Sequence, residues 1–239
     1  MTEPDSTEVQ PARRSQRTAL TILGLIGAVA IGFGLGFLAH IPLTDSNSSA
    51  EPNAVDIGFA QDMTVHHNQA IEMAAVELTT TTDPQVKNLA YDILTTQQNQ
   101  VGQMQGWLSM WDEAPLPTGG YMGWMEDDGT GHAHDGMEGM EGMSDMHHSG
   151  PTNKMPGMAT SEDLAALRTA RGTELDVKFL QLMLRHHEGG LPMMEYGAAH
   201  ADVSVVRELA QTMVATQQSE AKTMTDMLAA RGAAPLPMN

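Results

Sequence analysis

The stretch Phe59-Ala-Gln-Asp-Met63-Thr-Val-His66-His67 returns 120 residues later as Phe179-Leu-Gln-Leu-Met183-Leu-Arg-His186-His187. Working outward, the same offset sets Leu89-Ala90 on Leu209-Ala210, Thr96-Gln97-Gln98 on Thr216-Gln217-Gln218, and Met104 on Met224. It closes by matching Ala114-Pro-Leu-Pro117 with Ala234-Pro-Leu-Pro237. A duplicated unit therefore spans about 53–117 and 173–237, and each copy carries a His-His pair preceded by Met. Duplication groups residues that act together before any element is assigned.

Each copy reads as two helices. Asn53-x-x-Asp56 and Thr173-x-x-Asp176 stand at the start as capping-box signals, again 120 residues apart. The first helix of repeat one is predicted over about 54–80. Asp83-Pro84 then supplies an N-cap with proline at the first helical position, opening a second helix to about 112. Repeat two reads as 174–200 and 204–231, with Gly232 as a C-terminal cap. Pro192 falls inside the first helix of that repeat and predicts a kink just after the His pair. No segment alternates as a strand does. One hairpin cannot bury its own apolar face, so the two copies are expected to pack about a pseudo-twofold axis. The predicted architecture is an all-α four-helix bundle of two helical-hairpin repeats, forming one domain over 53–239.

The N-terminus is of another kind. Residues 1–17 are polar and include Arg13, Arg14 and Arg17, whereas Ala19 to Ala39 contain no charge. Twenty-one such residues at about 1.5 Å rise match a hydrocarbon core of about 30 Å. We expect a transmembrane anchor over 18–41, with residues 1–17 cytoplasmic and the remainder extracytoplasmic. The alternative is a cleaved signal peptide and a secreted product, although Leu38-Ala39-His40 makes a poor cleavage site. Residues 42–52 read as a tether. Beyond Leu43 there are 9 basic and 27 acidic residues, which together carry the whole net charge of −18. Such a balance excludes nucleic acid and anionic lipid as partners and suits cations. With no cysteine, neither disulfides nor thiolate sites can form.

On a helix, Met63, His66, His67, Ala70 and Met73 follow one stripe, and Met183, His186, His187, Gly190 and Met193 follow its counterpart. Small residues at 70 and 190 leave room beside the rings. Buried methionine is ordinary core filler, and a lone buried histidine usually bonds a carbonyl. Recurrence at the duplicated position points instead to metal. Neighbouring residues lie about 100° apart on a helix, so one imidazole of a pair can face the bundle while the other faces a helix junction. Imidazole with thioether is a soft-to-borderline donor set suited to copper, with Cu(I) favoured by methionine. Along the His-bearing stripe carboxylates do not recur: Glu72 falls on Pro192, and Glu77 on Gly197.

The link between the repeats, 118–160, holds eight methionines and four histidines with seven acidic residues and one lysine. Rich in glycine and lacking apolar periodicity, it is expected to be a disordered crossover. Its string Met137-x-x-Met140-x-x-Met143-x-x-Met146-His147-His148 could wrap a Cu(I) ion in sulfur. A short helix within Thr160–Arg171 would lead into repeat two.

The paired M-x-x-H-H helices resemble the DUF305 family of exported bacterial proteins, over about 53–237 with the Met/His link interrupting the match. The resemblance implies a ferritin-like fold, and some members resemble periplasmic copper-binding proteins of copper-resistance systems. His66, His67, His186 and His187 are the positions that match the family motif. The Glu-x-x-His of di-iron ferritin-like proteins is absent, which argues against iron oxidation.

Three functions stand open at this point. The first is a membrane-anchored extracytoplasmic copper-binding protein for sequestration, resistance or handover to other copper-handling proteins. The others are a metal-dependent oxidase of Cu(I), and an adaptor bundle without metal function. Because histidine binds metal only when neutral, affinity is expected to fall as pH drops through about 6.5. No nucleophile triad, phosphate loop or nucleotide fingerprint supports a hydrolase or transferase.

Overall fold

The computed structural model describes residues 50–125 and 151–239. The stretch expected to cross the membrane, 18–41, and the Met137–His148 string lie outside the described residues. Among those described, no helix is long and apolar enough to cross a membrane.

Among the described residues five helices follow in order: α1 Ala54–Thr80, α2 Pro84–Met110, α3 Ser161–Thr169, α4 Thr173–His200 and α5 Ser204–Ala230. Helices α1 and α2 form one hairpin, α4 and α5 the other, and the two are joined chiefly through α1 against α4. The four long helices have 27 or 28 residues each, as the duplicated pattern requires.

Side-chain caps hold the hairpins to each other. The Asn53 side chain accepts from the Asp56 amide, and the Asp56 carboxylate accepts from the Asn53 amide, closing the expected capping box. Asp56 also accepts from the amides of Asp202 and Val203, in the turn of the other hairpin. Its repeat partner Asp176 reaches the opposite turn, accepting from the Thr81 hydroxyl at 2.6 Å. Repeat two has no capping box, because Gly172 is its N-cap and Thr173 is already helical. Asp176 is turned to Thr81 instead of to its own helix start. Gln61 donates to the Ala114 carbonyl and Gln181 to the Ala234 carbonyl, so the Ala-Pro-Leu-Pro tails are pinned alike. Gly232, at φ +66°, ends α5 as expected. Helix α4 continues through Pro192 to His200 without a break.

The crossover differs from the expectation at its ends. Met122 and Met155 are buried, and Tyr121 pairs with Thr152 through two backbone hydrogen bonds. Asp62 accepts from the Met122 amide at 2.7 Å and from the Trp124 indole at 2.8 Å. Gln69 brackets Ala159, donating to its carbonyl at 3.0 Å and accepting from its amide at 2.7 Å. Glycine and proline removed the periodicity from these segments, and single polar side chains of α1 order them instead. The short helix α3 forms where expected, capped by Thr160 and joined to α4 by Asp163 and Arg185 at 2.9 Å.

Candidate metal centre

The apolar interior falls into two clusters. One contains Met73, Met183 and Met224; the other contains Met63, Met104, Met193 and Met213. The pseudo-twofold relation therefore sends the repeat-matched methionines to different clusters: Met63 joins Met193, and Met183 joins Met73. All four are fully buried.

His66, His67, His186 and His187 are all fully buried too. Helix α1 lies against α4 in such a way that the rings of His66 and His186 face each other. Their centroids are 3.8 Å apart and their planes tilted by 33°. None of the four nitrogens in these two rings has a hydrogen-bond partner. Burying a polar atom unpaired costs roughly 1–3 kcal/mol, so such a set needs an explanation. The close approach depends on Gly190, where a Cβ would lie 2.9 Å from His66 Cε1. Small residues at this position do make room for the ring, as expected.

The second histidine of each pair is held from behind. His67 Nε2 lies 2.8 Å from Gln100 Oε1 on α2, and His187 Nε2 lies 2.8 Å from Glu220 Oε2 on α5. Gln100 and Glu220 are themselves 120 residues apart. In both rings Nδ1 is buried without a partner. Within each pair one ring faces the other hairpin and its neighbour faces the second helix of its own hairpin, and all four are interior.

Burial drives His66, His67 and His186 toward the neutral form. His66 is pushed down to about 3, by loss of solvent first and then by the neighbouring His67. Loss of solvent likewise takes His67 to about 4 against the opposing pull of Gln100. His186 is held well below the ordinary range, by desolvation and then by His66, His187 and His67. Neutral imidazole is the metal-binding form. Protonation of these rings therefore falls well below pH 6.5, lower than the unperturbed value suggested.

The crossover covers this layer. Gly157, at φ +77°, lies where a Cβ would come within 2.4 Å of the Arg185 carbonyl, and its backbone rests on His186 and Gly189. The Pro156 carbonyl faces His66 without reaching hydrogen-bonding geometry.

Of the residues singled out from sequence, His66 and His186 are brought into contact, while His67 and His187 stand behind them. Among the described residues no group of three or more His, Asp or Glu side chains stands in an arrangement that could hold a metal ion. Met137, Met140, Met143, Met146, His147 and His148 lie outside the described residues. Sequence reasoning missed Gln100 and Glu220, and also Gln97 and Gln217, whose buried amides lack partners. The signal was available, since both pairs obey the 120-residue offset. They were overlooked because glutamine on a helix reads as surface.

What the arrangement offers is neutral nitrogen lone pairs in a dry setting, a donor set that fits a soft or borderline ion such as copper.

The DUF305 family, a domain of unknown function, matches the chain over residues 56–228. Among solved structures, a DUF305 protein from Streptomyces coelicolor, named as a secreted protein, is 39% identical with a TM-score of 0.63. That match covers 77% of this chain and 97% of the other. A DUF305 fragment from Deinococcus radiodurans is 28% identical with a TM-score of 0.55, covering 74% and 97%. CopM in its Cu(II)-bound form is 25% identical with a TM-score of 0.51, covering 72% and 94%. CopM has also been solved in Cu(I)- and Ag-bound forms, at 22% identity, where the likeness concerns the fold. None of the curated proteins compared matches the chain. The all-helical fold and the family match agree, and the chain belongs to the DUF305 family.

Proposed function

We propose that this protein binds copper outside the cytoplasm, in sequestration, resistance or handover, with Cu(I) as the favoured state. The observation that carries the reading is the stacked pair His66 and His186, whose four ring nitrogens are buried without partners. All four histidines would serve as ligands, His66 and His186 in contact with each other and His67 and His187 adjoining them. The thioethers of Met63, Met73, Met183 and Met193 are the candidate soft donors from the clusters on either side. Bound copper here is cargo, and the chain's own contribution is to keep imidazoles neutral, dry and close together.

Further support comes from CopM, solved with copper and with silver bound. The name of the Streptomyces relative agrees with an extracytoplasmic site. Anchoring by residues 18–41 belongs to the same proposal, as does ion collection by Met137, Met140, Met143, Met146, His147 and His148. Partners in handover would be other extracytoplasmic copper-handling proteins.

The test is titration of Cu(I) into residues 43–239, with a competing chelator to report affinity. Replacing His66 and His186 together is expected to abolish the tight site, and deleting 126–150 to remove weaker binding. Unchanged stoichiometry after both changes would refute the reading.

A further inference from the structure

Gln100 and Glu220 occupy equivalent places in the two repeats but differ in charge, and each meets the Nε2 atom of a buried histidine at 2.8 Å. Nδ1 of His187 is buried with no acceptor beside it, so a proton there would be an unpaired buried donor. The ring proton is therefore placed on Nε2, toward the Glu220 oxygen, and Nδ1 is left as a bare lone pair. The same geometry at His67 places the amide oxygen of Gln100 toward the ring, so that Nε2–H donates there as well. Gln100 also lines a groove of about 370 Å³ between α2 and α5, with Thr95, Asn99, Leu209 and Thr212.

We infer that Gln100 and Glu220 are positioning residues that fix His67 and His187 as Nε2–H tautomers and present Nδ1 as the ligating atom. The inference rests on the copper reading for its purpose. It adds an inequality between the halves: a carboxylate behind an imidazole raises its basicity as a ligand more than an amide does. The His187 half is therefore the stronger donor. Substitution of such an outer residue typically changes metal affinity by about 10–100-fold.

Two-bond proton–nitrogen correlation spectra of the full chain, labelled with ¹⁵N-histidine and free of metal at pH 7.5, report each tautomer directly. Both His67 and His187 are expected as Nε2–H, and silver(I), used as a diamagnetic probe, is expected to shift their Nδ1 signals. Either ring found as Nδ1–H would overturn the inference, as would unmoved Nδ1 signals with silver bound. Glu220→Gln should keep the tautomer yet weaken silver binding by about 10–100-fold, while Gln100→Glu should strengthen it. Glu220→Leu should release the tautomer of His187. Equal silver affinity in all three variants would overturn the inequality. Should a variant fail to fold, the spectra of the unaltered chain still decide. Correct tautomers with no ion bound would refute the copper reading instead, and wrong tautomers with an ion bound would refute this inference alone.

Discussion

At the scale of single residues, His66 and His186 are costly to the apo protein. Their nitrogens are buried without partners, and exchanging both members of an unsatisfied set for apolar groups of similar size is neutral or stabilising. The double variant His66→Leu/His186→Leu is therefore expected to raise the unfolding free energy of the metal-free protein by about 1–3 kcal/mol while losing tight copper. Urea denaturation checks the first half, and a loss of stability would make these rings structural. Gly190→Ala works in the other direction. Its methyl would meet His66, so overpacking should cost about 1–3 kcal/mol, again read by urea denaturation. Acid should weaken the apo fold through the same rings. His66, His67 and His186 all have folded-state values below the unfolded 6.5, so the folded chain takes up fewer protons. Their contribution is complete above about pH 6.5 and is lost as pH falls toward 4, by up to about 1.4 kcal/mol per ring per pH unit. A flat profile of unfolding midpoint between pH 7 and 4.5 would contradict this.

At the scale of elements, the joints between hairpins hold a second buried titratable group. Glu77, near the end of α1, is fully buried, and neither carboxylate oxygen has a hydrogen bond of normal geometry. Burial, and then Asp176 beside it, pushes its carboxyl up to about 8. A value raised above the unfolded 4.5 means that its stabilising protonated form is complete below that pH and is lost as pH rises through about 8. Glu77→Gln removes this dependence, so the variant should gain on the parent steadily from pH 5 to pH 8.5 in denaturation midpoints. The helices themselves were legible because caps, proline and the Gly232 terminator are local signals. Thr173 was misleading as a cap because Asp176 serves the opposing turn, a tertiary use that local spacing does not encode. The ends of the crossover were illegible for a related reason. Asp62 and Gln69 hold them, and their repeat positions are Leu182 and Gly189, so duplication gave no hint of either. Likewise, the offset named the four histidines, but only packing of α1 on α4 selects His66 and His186 as the touching pair.

At the scale of the whole molecule, the histidine layer joins two hairpins and the crossover lies over it. An ion bound there should therefore tie the domain together. Any ligand of the folded state stabilises by mass action, by about 2.7 kcal/mol at a free concentration one hundred times Kd. Silver(I) is accordingly expected to raise the melting temperature of the parent but not of His66→Leu/His186→Leu, a contrast that calorimetry reads. The covalent crossover has a consequence for symmetry. Had two identical hairpins met as separate chains, a strict twofold would place the same residue on both sides of the axis. Every substitution would then be made twice. Within one chain the halves are free to drift apart, and Gln100 opposite Glu220, Gly190 opposite Ala70 and Asp62 opposite Leu182 are that drift. The fused molecule can give its two halves different roles, a division of labour closed to any homodimer of its parts.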